Sequence, residues 1–113
     1  LPIYNGDYYS DIEKAQKIIK SNMLRPPYGR MSLSQTNNLK KRYKIIMWDV
    51  MSYDYETSIS VEQCYSNVIN HVVKGSIVLF HDSEKAKSNV LDTLKKVLHH
   101  YTELGWKFES LPF

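Results

Sequence analysis

Two stretches of the chain repeat apolar residues every three or four positions: Val61, Cys64, Val68 and Val72, then Val90, Leu94, Val97, Tyr101 and Leu104. That period gathers each set on one helix face. Three helix starts carry a Ser with Glu or Gln three residues on, at Ser10–Glu13, Ser32–Gln35 and Ser60–Gln63. This is the capping-box signature, in which each partner satisfies a backbone N–H of the first turn. A fourth helix is expected from about Ser88, and Gly75 and Gly105 stand where C-terminal caps belong. Between the helices lie short runs rich in β-branched and aromatic residues at 22–25, 44–50, 76–80 and 106–111, which read as strands. Their near-continuous apolarity suits strands covered on both faces, as in parallel sheets. The order αβαβαβαβ predicts an α/β protein built from βαβ crossovers, with parallel strands alternating with helices.

Composition narrows the picture without changing it. At 113 residues, 42% hydrophobic and 24% charged, the chain suits one compact domain and is too short for two. The net charge is +3 and the lysines are scattered, so no nucleic-acid partner is expected. The basic run Lys40-Lys41-Arg42 reads as a solvated helix end. One cysteine excludes an internal disulfide and any cysteine-built zinc site. Cys64 is most simply a small buried hydrophobe. No apolar run approaches the roughly 20 residues that span a bilayer, and the first residues lack the basic and apolar regions of a signal peptide.

The ionisable side chains fall at the strand ends. The first strand ends at Arg25 and leads through Pro26 and Pro27 to Tyr28. The second runs through Trp48 and Asp49 to Tyr53, Asp54 and Tyr55, and the third ends at His81-Asp82. Parallel α/β folds collect ligand and catalytic groups at the carboxyl ends of their strands. A single such His or Asp is most simply structural; three strands ending alike indicate a site. His71, His99 and His100 lie within predicted helices, and the adjacent His99 and His100 point to different sides.

Three separated stretches, "RPPYG" (25–29), "WDVMSYDY" (48–55) and "IVLFHD" (77–82), resemble in order and spacing the Arg-x-Pro-Tyr, Asp-Trp and Leu-x-His segments of polysaccharide deacetylases, the carbohydrate esterase family 4 enzymes with a NodB homology domain. The resemblance runs from about Asp11 to the end. It implies the C-terminal portion of a distorted (β/α) barrel, and an enzyme removing acetyl groups from N- or O-acetylated sugars. It also implies roles. His81 would be the general acid, Asp54 its partner, and Arg25 would orient the catalytic-base carboxylate. Leu79 would line the acetyl pocket. The Tyr28 backbone N–H would hold the oxyanion while its ring walls the groove. Trp48, Tyr53 and Tyr55 would offer flat surface to a sugar ring, with core packing an equal reading for Trp48. Arg suits a carboxylate because its planar fork binds both oxygens. The chain departs from the family at Tyr55, where Trp is common, and at Met51, where a further acid is frequent. Asp54, rather than Asp49, is assigned because it directly precedes the aromatic.

In that family a divalent metal, typically zinc, is held by one Asp and two His from an Asp-Asp segment and a His-x-x-x-His segment, both upstream of the Arg-x-Pro-Tyr segment. No His precedes Arg25, and Asp7 and Asp11 form no doublet. The resemblance therefore implies a single incomplete domain over 1–113 that lacks the base and the metal ligands, binds no metal itself and is inactive alone. Metal dependence belongs to a full-length protein, whose partner is an acetylated polysaccharide and whose place is the cell envelope or beyond. Open strand edges predict self-association. A non-catalytic carbohydrate-binding or scaffold module of the same fold is the alternative, and an unrelated α/β regulatory domain a third reading.

Overall fold

The computed structural model describes residues 5–112. The chain divides into two compact units, one ending at Met47 and the other Trp48–Pro112. The first holds α1 (Asn5–Ile19), β1 (Met23–Leu24), α2 (Leu33–Leu39) and β2 (Lys44–Ile45), with a 3₁₀ turn at Pro27–Gly29. β1 and β2 are parallel, Met23 opposite Lys44 and Leu24 opposite Ile45. α2 begins on the expected capping box: Ser32 Oγ accepts from Gln35 N at 3.1 Å, and Gln35 Oε1 accepts from Ser32 N at 2.9 Å. The run Lys40-Lys41-Arg42 is exposed just beyond α2.

The Ser10–Glu13 signature, by contrast, caps nothing. Both residues lie inside α1, which starts at Asn5. Tyr8, four residues before Ile12, is buried, so the apolar stripe that holds this helix down begins upstream of Ser10. Asp7 in the first turn favours that earlier start through the helix dipole.

The second unit holds β3 (Val50–Met51), α3 (Val61–Ile69), β4 (Val78–Leu79) and α4 (Val90–Glu103), with a 3₁₀ turn at Glu84–Ala86. β3 and β4 are parallel, Val50 opposite Val78 and Met51 opposite Leu79. The Ser60–Gln63 box caps α3 as its sequence predicts. Val68 of α3 and Val97 and Tyr101 of α4 form the buried core, with Tyr65, Ile69, Val72, Val78, Phe80 and Trp106 packed around them. Burying each such side chain contributes about 1.5–3 kcal/mol.

Several boundaries differ from the sequence pattern. The run 44–50 is two strands, because its ends serve different partners: Ile46 N bonds Leu24 O, whereas Asp49 N bonds Ile77 O. Residues 106–111 form no strand; Trp106 N instead closes the end of α4 on Tyr101 O at 2.9 Å, and its ring lies 4.8 Å from that of Tyr101. α3 ends well before Gly75, which sits at φ 91° in a turn closed by Ser76 N on Val73 O. Gly105 follows the C-cap of α4 at φ 78°, as expected. α4 starts after Asn89 rather than Ser88.

Ser60→Ala should lower stability by about 1 kcal/mol by removing a cap. Ser10→Ala, inside α1, should leave stability unchanged or raise it by up to about 0.5 kcal/mol. Denaturant unfolding of both variants separates the two roles. Cys64 is fully buried, and that burial pushes its thiol up from 9.0, Asp54 adding to the rise and Thr93 offsetting part of it. The folded thiol keeps its proton where the unfolded one loses it, so this contribution to stability is present below pH 9.0 and lost as pH rises beyond it. A thiol reagent should label Cys64 at the rate of unfolding, not at the rate of a free thiol.

Candidate active site

Because β3 and β4 run parallel, the chain leaves both at the same end of their sheet. Asp54 follows β3 by three residues and His81 follows β4 by two, and there they meet. The His81 backbone N–H donates to Asp54 Oδ2 at 2.7 Å, and the His81 Nδ1–H donates to Asp54 Oδ1, also at 2.7 Å. A carboxylate only accepts, so this contact fixes the proton on Nδ1 and leaves Nε2 as the nitrogen not engaged with Asp54. The Asp54 side chain is wholly buried and that of His81 is 34% exposed. The pair therefore has a sheltered anchor and a reachable working end.

The backbone around Asp54 is shaped for this. Tyr53 adopts φ 61°, a left-handed conformation that costs a non-glycine residue roughly 1–2 kcal/mol. Glu56 N closes the following turn on Tyr53 O at 3.0 Å, and Asp54 N donates to the buried Ser52 Oγ at 3.3 Å. Tyr55 sets its ring edge against the imidazole, centroids 5.2 Å apart, and Tyr53 lies 6.1 Å from Tyr55. Burial, followed by the charges nearby, holds the Tyr55 hydroxyl above its ordinary range, so it stays neutral at physiological pH.

The neighbouring acid does something else. Asp49 Oδ2 accepts from Ile77 N at 2.7 Å, tying β3 to the start of β4, so Asp54 is the acid of its segment that meets the imidazole. Leu79 is buried on β4 opposite Met51, and Trp48 is half-buried. Arg25 and Tyr28 belong to the first unit. The Arg25 guanidinium is exposed and donates through Nε to Ile46 O at 3.3 Å and through Nη2 to Met47 O at 3.4 Å, gripping the exit of β2. Pro26 is extended (φ −66°, ψ 137°), and Tyr28 at φ 57° precedes Gly29 at φ 67°. Two left-handed residues in succession turn the chain sharply and leave the Tyr28 side chain 92% exposed.

The remaining histidines stand apart. His71 Nδ1 bonds Asn67 O, His100 Nδ1 bonds the Tyr65 hydroxyl, and His99 is exposed. Among the described residues, no three His, Cys, Asp or Glu side chains come together as a metal centre; Asp54 and His81 are spent on each other. One participant was missed by sequence reasoning. Asn89, buried ahead of α4, donates through Nδ2 toward Asp54 O (3.4 Å), Glu56 O (3.1 Å) and Ile59 O (3.2 Å). Its partners lie thirty or more residues upstream, and the sequence pattern placed the helix start at Ser88 instead.

No protein-family model and no curated protein matches the sequence. Solved structures do. The Bc1960 peptidoglycan N-acetylglucosamine deacetylase superposes with a TM-score of 0.87 at 24% identity, over 97% of this chain and 55% of its own. The Xyl-CE4 domain of a multidomain xylanase from the hindgut metagenome of Trinervitermes trinervoides gives 0.84 at 23% identity, over 96% and 54%. A mutant of BA3943, described as a CE4 family pseudoenzyme with restored enzymatic activity, gives 0.73 at 18% identity, over 93% and 39%. The chain thus spans about half or less of these structures, and across that span it has the α/β fold of carbohydrate esterase family 4 proteins.

Proposed function

We propose that this chain is the C-terminal part of a polysaccharide deacetylase, and the observation that carries the reading is the Asp54–His81 contact at the ends of two parallel strands. Breaking an acetamide requires an attacking water, stabilisation of the carbonyl oxygen and a proton for a poor leaving group. His81 serves the last need. Asp54 holds its ring, and Nε2 delivers the proton to the departing sugar amine or alkoxide. Arg25 orients the base carboxylate contributed by an upstream segment. The Tyr28 N–H, presented by a strained left-handed backbone of the kind that gathers at functional sites, contributes to the oxyanion contact. Leu79 faces the acetyl methyl, and Trp48, Tyr53 and Tyr55 offer ring surface to the sugar.

The metal and the base of the reaction would, on this proposal, be supplied by Asp-Asp and His-x-x-x-His segments outside the 113 residues, since the described residues bring no three ligating side chains together. In this reading the isolated chain is inactive, its substrate is an acetylated polysaccharide and its setting is the cell envelope or beyond. Among the described residues, no helix is long and apolar enough to cross a membrane. A non-catalytic carbohydrate-binding or scaffold module is the second reading, favoured by the CE4 pseudoenzyme among the structural matches.

The experiment uses the longest reading frame that contains this chain, assayed for acetate release from N-acetylated glycan oligomers. His81→Ala should lower turnover by about 10²–10⁴-fold, the usual worth of a general acid; undiminished turnover would remove His81 from the chemistry. Glycan binding without turnover in the unaltered protein favours the non-catalytic module. Among the described residues both sheets have two strands, so each leaves edges unpaired there. The isolated chain should accordingly elute above monomer size at micromolar concentration, and a clean monomer would count against edge association.

A further inference from the structure

We infer that Asn89 is the positioning residue of the Asp54–His81 pair: it clamps the loop that carries Asp54 and so fixes which nitrogen of His81 bears the proton. Asn89 is 4% exposed. Its Nδ2 has two hydrogens, and three carbonyl oxygens of the 54–59 segment surround it, those of Glu56 and Ile59 at the shorter distances of 3.1 and 3.2 Å. Asp54 O, at 3.4 Å, shares the remaining directionality. These carbonyls belong to a segment between β3 and α3 without helix or strand of its own, one whose backbone groups must find partners where they are buried. One amide from the head of α4 meets all three, and Glu56 O also accepts from Ile59 N at 3.3 Å within the loop.

The side chain has given up the usual work of its position to do this. Asn is among the best N-cap residues because its side-chain oxygen accepts from the first turn, yet at Asn89 no such cap bond forms. Ser52, Asp54, Cys64 and Thr93, all wholly buried, lie in the same unit, and Asp54 and Thr93 both act on the Cys64 thiol. The Thr93 hydroxyl, one turn after Asn89, has no hydrogen-bond partner of ordinary geometry. A second amide, Asn67 Nδ2, reaches Ser52 O at 3.4 Å, but the 54–59 carbonyls are met from α4 by Asn89. Without it the loop loses its tie to α4, Asp54 gains freedom, and the 2.7 Å contact that selects the Nδ1–H form of His81 loosens.

Asn89→Asp is the sharpest test. It keeps the size and an excellent N-cap but turns a donor into an acceptor facing carbonyl oxygens. Asn89→Ala and Asn89→Ser remove the clamp more gently. Two-bond ¹H–¹⁵N spectra of the histidine rings, recorded on the labelled chain at about pH 8, report the tautomer directly. His81 should show the Nδ1–H pattern in the unaltered chain and move towards a mixture of tautomers in the variants. His100, held by Tyr65 between α3 and α4, should keep its signature and thereby certify the fold. An unchanged His81 pattern in all three variants overturns the inference. So does loss of the His81 and His100 signatures together in all three, which would assign Asn89 to the fold alone.

For turnover the inference rests on the deacetylase reading. In the longer protein Asn89→Asp should cut kcat by about 100-fold, as misplacing a reacting group by around 1 Å does, with KM within about threefold. If the longer protein releases no acetate while His81 still responds to Asn89→Asp, the enzymatic reading fails and the positioning role stands.

Discussion

A carboxylate without solvent contact cannot be left unpaired, and the second unit is organised around meeting that demand. Asp54 is wholly buried, and both of its oxygens are taken by His81, one by the backbone and one by the ring. The double contact joins the exits of β3 and β4 and turns a two-stranded parallel ladder into a frame for an imidazole. Burial makes the arrangement stiff, since a buried polar group that loses its partner bears the full desolvation cost. Partial exposure of His81 leaves the frame with one working end. The proposed proton-delivering role of His81 would thus rest on an electrostatic obligation that the fold must satisfy in any case.

The local parts of this structure were legible in the sequence and the non-local parts were not. The boxes at Ser32–Gln35 and Ser60–Gln63 are settled within a few residues, and both formed as read. Ser10–Glu13 has the same letters and failed, because burial of Tyr8 carries α1 past it. Strands depend on partners: 44–50 looks like one apolar run, yet β1 claims its first half and β4 its second. Trp106 reads as a strand residue but is drawn onto Tyr101 at the end of α4.

The site shows the same division. The pairing of Asp54 with His81 followed from the resemblance, and the choice of Asp54 over Asp49 has a geometric counterpart: Asp49 is committed to Ile77 N. Asn89 gave no sign of its role, since its acceptors are backbone carbonyls whose position no side-chain letter announces. Arg25 reads as a carboxylate holder; in the first unit it grips the carbonyls of Ile46 and Met47, which rigidifies the guanidinium without consuming all five of its donors.

Tyr28 and Tyr53 share one further property, a backbone twisted to the side of the Ramachandran map that most residues avoid. At these positions selection is exerted first by the main chain and only afterwards by the ring. Glycine and asparagine suit the twist, and valine or isoleucine opposes it. Each position carries an aromatic despite that torsional penalty, Tyr53 with its ring 6.1 Å from that of Tyr55 and Tyr28 turned out to solvent, so the main chain rather than the ring restricts which residues fit there.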